Sequence, residues 1–121
     1  MALVIHHLDD RVGALREVRR VLKPDGTLVV STHHPTRDWL TRGGSYFDVE
    51  LVEESEPQGW QVRFWRQPLT TTCRQFVEAG FVIDALVEPL PTPPMAEQYP
   101  EDFETLNREP GFIIFRLRPK T

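Results

Sequence analysis

The sequence is poor in several features that would have narrowed its function at once. Cys73 is the one cysteine among 121 residues, which excludes an internal disulfide and a cysteine-built zinc cluster and fits a reducing compartment. No apolar run approaches the ~20 residues that a membrane-crossing helix needs. The start, Met1-Ala2-Leu3-Val4-Ile5 and then His6-His7-Leu8-Asp9-Asp10, has no basic region and too short an apolar stretch for a secretory signal. Excess positive charge is missing as well. The net charge of −4 argues against nucleic acid or an anionic membrane as a partner. Gly13, Gly26, Gly43, Gly44, Gly59, Gly80 and Gly111 form no GxGxG or GxGxxG after a strand, so no dinucleotide-type phosphate cradle is encoded. The expectation is a cytoplasmic protein of one domain, or part of one, with a modest core.

What is present is a punctuated α/β pattern. Asp9 or Asp10 caps a helix over about 9–23, whose Val12, Leu15, Val18, Val21 and Leu22 recur at helical spacing as one buried stripe. Arg16, Arg19 and Arg20 read as its solvated side. Pro24 stops the helix and Gly26 permits a tight turn. A strand follows over 27–32, where Leu28, Val29 and Val30 in succession predict burial on both faces. Its only earlier neighbour would be a strand remnant at 2–5.

Residues 35–44 read as irregular, with a helical turn at 38–41. Alternation at Phe47, Val49 and Leu51, then at Trp60, Val62 and Phe64, predicts an antiparallel hairpin around Ser55-Glu56-Pro57-Gln58-Gly59. Asp48, Glu50, Glu53 and Glu54 can face Arg63 and Arg66 across it, each pair contributing only ~0.2–1 kcal/mol. A second helix over 69–79 carries caps at Thr70, Thr71 and Thr72, a stripe of Leu69, Cys73, Phe76 and Val77, and Gly80 at its end. Strands at 81–87 and 112–117 flank a proline-rich stretch over 89–110, read as extended loop with a short helix at 101–107.

Six blocks in order then resemble the second half of a class I S-adenosylmethionine-dependent methyltransferase of the ubiquinone/menaquinone-biosynthesis-like (type 11) group. Leu3 to Asp10 is similar to that family's loop after its fourth strand. Arg20-Val21-Leu22-Lys23-Pro24-Asp25-Gly26 is similar to its helix-to-strand turn, with Asp25 where glycine is usual. Ser31-Thr32-His33-His34-Pro35 resembles the end of its fifth strand. Phe64-Trp65-Arg66-Gln67-Pro68-Leu69-Thr70 resembles a segment usually read as aromatic-His-Arg-Pro-Leu-Ser, with Arg66 and Gln67 in place of the His-Arg pair. Glu78-Ala79-Gly80-Phe81 and Glu88-Pro89-Leu90-Pro91 complete the set.

The resemblance implies an α/β architecture: a truncated Rossmann-like methyltransferase fold over 1–121, its remaining strands in the order 5-7-6 with the last strand antiparallel. An inserted hairpin over about 45–67 would serve as a lid. The glycine-rich turn that holds most of the cofactor in the family would lie upstream of Met1, which is accounted for most simply by a start codon placed too late. The strand at 27–32 would then show an apolar edge open to self-association, and a non-catalytic interaction module using that edge is the alternative reading.

The resemblance also implies the chemistry: methyl transfer from S-adenosylmethionine to a small-molecule acceptor. Met1, Ala2, Leu3 and His6 would line the cofactor, although binding by this chain alone is expected to be weak or absent. His7 and His34 are the candidate general bases, since imidazole titrates near neutrality. His33, Trp39, Trp65 and Arg66 would touch the acceptor. The same histidines can instead shape the loops, and no metal site is assigned, because adjacent histidines lack a standard ligand spacing. The aromatics Trp39, Tyr46, Phe47, Trp60, Phe64 and Trp65 either form a lid over an apolar acceptor or bury the hairpin against the sheet.

Overall fold

A computed structural model describes all 121 residues. Three strands, β1 (Leu28–His33), β4 (Phe81–Val87) and β5 (Phe112–Pro119), form one sheet in the order β1-β5-β4, with β5 antiparallel to both neighbours. This is the expected 5-7-6 arrangement. A separate two-stranded sheet is the hairpin β2 (Glu50–Ser55) and β3 (Gln61–Arg66). Its strands start later than the alternation suggested. Phe47 and Val49 precede β2 and stay exposed.

One face of the main sheet carries the core. Val30, Ile113, Phe115 and Leu117 of the strands pack with Ile5, with Leu15 of α1 (Arg11–Val21) and with Phe76 of α3 (Leu69–Glu78). Phe76 meets Phe115 edge to face at 4.9 Å, a favourable aromatic geometry. The α1 cap is Asp10, whose carboxylate accepts from the Gly13 amide at 2.8 Å. Arg19 is not solvated: it donates to the carbonyls of Gly80 and Lys120, each at 2.8 Å, tying α1 to the α3–β4 turn and to the residue just past β5.

Several expectations are corrected, most of them because neighbours decide what a pattern buries. Val21 and Val77 lie outside their predicted stripes and are exposed. Val29 is half exposed, because only one face of β1 is covered by helices. The threonines of α3 cap nothing. Pro68 is the N-cap residue, and Thr72 instead accepts from the Gln67 amide. Residues 35–44 hold a true helix, α2 (Pro35–Arg42), with Pro35 in its first turn, where a missing N–H costs nothing. In the proline-rich stretch a helix that was not expected, α4 (Pro93–Gln98), precedes the short helix expected at 101–107, which is present as α5 (Pro100–Arg108), each again begun by proline.

The N-terminal segment is no strand. Ile5–His7 forms a 3-10 turn, and Leu3 takes a positive φ of 54°. Residues 1–3 nevertheless run parallel to the middle of β1. Leu3 N–H donates to the Ser31 carbonyl at 2.8 Å, Ser31 N–H to Met1 at 3.0 Å, and the Met1 amine to Val29 at 2.9 Å. The outer edge of β1 is therefore partly occupied. Self-association through 27–32 would have to displace this segment.

Candidate functional site

Strands β1 and β4 run parallel, so their C-terminal ends share one rim, the place where open α/β sheets bind ligands. His33 closes β1, and His34 follows as the N-cap of α2. Both nitrogens of the buried His34 are engaged. Thr36 N–H donates to Nδ1 at 3.1 Å, which leaves the proton on Nε2, and Nε2 donates to Glu88 Oε2 at 2.6 Å. His34 thus starts a helix and ties β1 to the end of β4, with no lone pair left to accept a substrate proton.

The 3-10 turn brings the other histidine pair to the same rim. His6 lies between two imidazoles, His33 stacked at 4.4 Å and His7 tilted at 4.2 Å. Phe64 of β3 sets its edge against both His6 and His33. His6 is buried and shares a 2.9 Å hydrogen bond with Thr32 Oγ1. Burial, followed by the charges of His33, His7 and Arg11, pushes its pKa down to about 4. His7 is exposed, and its Nδ1–H donates to the Arg63 carbonyl at 2.7 Å, leaving Nε2 as the basic nitrogen.

His33 sits between these groups and α2. Its Nδ1 lies 3.8 Å from Asp38 Oδ1, an ionic distance rather than a hydrogen bond. Burial lowers the His33 pKa, Asp38 pulls it back up, and Arg37, Arg42 and His7 lower it further. Asp38, buried in the first turn of α2, has its carboxyl pKa raised by burial and opposed by His33 and then Arg42. Burial thus works against the charged form of both groups, and their mutual attraction works against burial.

Arg11 of α1 is buried behind this cluster, with one long bond of 3.3 Å to the Trp65 carbonyl. Burial lowers even this guanidinium to about 10, with Asp38 acting against the shift. Arg11, Asp38, His6, His33 and Gln67 surround a cavity of about 20 Å³, enough for one water and no more. On the solvent side of His33 an open cleft of about 500 Å³ lies between α2 and α5, within the size range of small-molecule sites. His33, Arg37, Thr41, Asp102, Thr105 and Phe112 line it.

The remaining predicted site residues serve the hairpin. Trp65 Nε1 and Arg63 both donate to Asp9 Oδ1 at 2.7 Å, and these bonds hold the Asp9 carboxyl below its usual pKa. Buried Arg66 donates to the Gly43 carbonyl at 2.8 Å. Its Nε has the Glu50 carboxylate 2.5 Å away but not on its N–H axis, so that contact is an ion pair without an aligned hydrogen bond. Trp39 donates to the Gly44 carbonyl and stands at 6.0 Å from Tyr46, apart from the histidines. Arg37, Asp38 and Asp102 escaped sequence reasoning, because only the packing of α2 and α5 brings them to the rim.

Met1, Ala2, Leu3 and His6 do not make a cofactor cradle by themselves. The first three are spent on β1, and the His6 ring is enclosed. No glycine-rich turn or acidic ribose partner stands beside them. The residues present fit at most one wall of an S-adenosylmethionine site.

Comparison with known proteins places the fold. The family profile described as "Methyltransferase domain" matches residues 1–30. YafE, an uncharacterised protein of Escherichia coli K12, is 42% identical over 60 residues, which is 46% of this chain and 29% of YafE. A solved structure from Listeria monocytogenes, described as an S-adenosylmethionine-dependent methyltransferase, superposes with a TM-score of 0.78 at 20% identity, covering 99% of this chain and 59% of that one. A second S-adenosylmethionine-dependent methyltransferase, from Mesorhizobium loti, gives a TM-score of 0.68 at 22% identity over 97% of this chain and 59% of that one. The chain thus spans about three fifths of these structures and less of YafE. Residues 1–30 match the methyltransferase-domain profile, and the whole chain shares the α/β fold of S-adenosylmethionine-dependent methyltransferases over about three fifths of their length.

Proposed function

We propose that this chain forms the acceptor-binding part of an enzyme that transfers a methyl group from S-adenosylmethionine to a small molecule, and that it is inactive without the cofactor-binding part. The observation that carries this reading is the cleft of about 500 Å³ at the strand C-termini, with His33 in its wall. Transfer of a methyl group depends mostly on holding the acceptor atom in line. The cleft walls supply that positioning, and the hairpin β2–β3, braced on His7 and Asp9, stands over the histidines as a lid.

His33 takes the acceptor's proton where the acceptor is a hydroxyl or ammonium group. Its Nδ1 faces Asp38, which favours the Nδ1–H tautomer and leaves Nε2 as the base. His33 replaces His34 in this role, since the nitrogens of His34 are both used. His7 keeps a free Nε2 but does not line the cleft.

Two measurements test the reading. Titration of this chain with S-adenosylmethionine should give no binding in the micromolar range, and a micromolar dissociation constant would refute the division of labour. In the complete domain, His33→Ala should lower kcat by roughly 10²–10⁴-fold for a hydroxyl acceptor.

A further inference from the structure

We infer that the acceptor carries a single anionic group, a carboxylate in the first instance, held by Arg37 beside His33. This inference rests on the acceptor-cleft reading and names the substrate class of that cleft. Two arginines line the cleft, and they differ in one respect. Arg42 is neutralised, at 2.9 Å from Glu54 and 3.8 Å from Asp38. Arg37 makes no ion pair and no side-chain hydrogen bond, although its element also carries Asp38. Its stem and guanidinium lie across the backbone of Gly111, where an added Cβ would come within 3.6 Å of Nη1. A cation with free donors in a concave site recognises a carboxylate through its planar fork.

The position of Arg37 is tied to the reacting end of the cleft. Its charge acts directly on His33 and on Asp38, so an anion seated on Arg37 lies next to the imidazole. The opposite wall adds selectivity. Asp102, in the first turn of α5, also has no ion-pair partner and faces the same space. A second negative charge on the ligand would meet this carboxylate, so the cleft suits a monoanion or a zwitterion and rejects polyphosphates.

The experiment needs neither cofactor nor turnover. Benzoate, its neutral isostere benzamide, and pyrophosphate are titrated into the intact chain, followed by amide and histidine ring resonances. Benzoate should shift residues around His33 and Arg37 and should raise the His33 titration midpoint, because a neighbouring anion stabilises imidazolium. Benzamide and pyrophosphate should bind at least fivefold more weakly. Arg37→Gln should remove the preference for benzoate, while Asp102→Asn should leave benzoate bound and improve pyrophosphate. Arg37 is exposed, so the variant should fold, and its amide spectrum checks this. Equal binding of benzoate and benzamide, or an unchanged benzoate preference in Arg37→Gln, would overturn the inference. Such a failure would leave the methyl-transfer reading to stand or fall on cofactor binding by the complete domain.

Discussion

Acidification should destabilise this fold chiefly through one side chain, His6, in the pH window between 6.5 and 4. The native imidazole is enclosed between His33, His7 and Phe64 and titrates at about 4, against 6.5 in the unfolded chain. Between those values the unfolded state binds the proton and the native state does not, so stability falls as pH falls. Above 6.5 the contribution is complete, and below about 4 nothing more is lost at this site. Taking the chain from pH 7.5 to 4.5 covers most of the displacement, and at about 1.4 kcal/mol per pH unit the loss is roughly 2.5 kcal/mol. His33 acts in the same direction, because burial lowers its pKa too. Asp38 acts oppositely: its raised pKa means the native state takes up a proton first and regains some stability toward the acidic end. The lowered pKa of Asp9 matters only below its ordinary 3.8, outside this window.

Urea unfolding at pH 7.5 and 4.5, followed by tryptophan fluorescence, measures the total. The same pair of measurements on His6→Asn, which keeps a polar partner for Thr32 but cannot titrate, isolates the His6 share. The variant should be weaker at pH 7.5 and should lose roughly 2 kcal/mol less than the parent on acidification. A direct reading comes from the His6 ring protons, which should titrate near 4. Titration near 6.5, or equal pH dependence in parent and variant, would refute the reasoning from burial.

Three further outcomes check other parts of the structure. Phe115→Ala, at the fully buried centre of β5 against Phe76, should cost about 3–5 kcal/mol in urea unfolding. Asp10→Ala removes the acceptor of the Gly13 amide and should cost about 1 kcal/mol, with faster amide exchange in the first turn of α1. Gly43 and Gly44 both have positive φ, at 74° and 72°. Gly43→Ala should cost only the backbone term of about 1 kcal/mol. Gly44→Ala should cost more in thermal unfolding, because its Cβ would lie 2.9 Å from Arg66 Nη2 and disturb the base of the hairpin.

Much of the fold is legible in local chemistry. Asp10, Pro24 and the turn at Gly26 bound α1 and hand the chain to β1. Gly80, at a φ of 92°, ends α3 and starts β4. Strand pairing in the order β1-β5-β4 follows from the family resemblance rather than from any one segment. The errors have two causes. Proline reads as irregular chain at the start of α2 and throughout α4, although at the first helical position it is compatible with a helix, whereas the short helix expected at 101–107 is present as α5. Val21, Val29 and Val77 read as buried because periodicity marks apolar residues and does not say which face another element covers.

Residue types by themselves determined that these 121 residues carry no GxGxG turn, that no helix is long and apolar enough to cross a membrane, and that the histidines come as two adjacent pairs, each just past a short segment. Those properties are compositional or local, and a single sequence states them directly. Tertiary structure alone decided which histidines keep a free nitrogen and which of them lines the cleft. His34 is consumed by Thr36 and Glu88, His6 by Thr32 and two neighbouring rings, and His33 is left facing a cleft with Arg37. The partners of His34 and His6 across the fold come from positions 54 and 26 residues away in the chain. A nitrogen's availability depends on where the fold spends its lone pairs, and no spacing in the sequence encodes that.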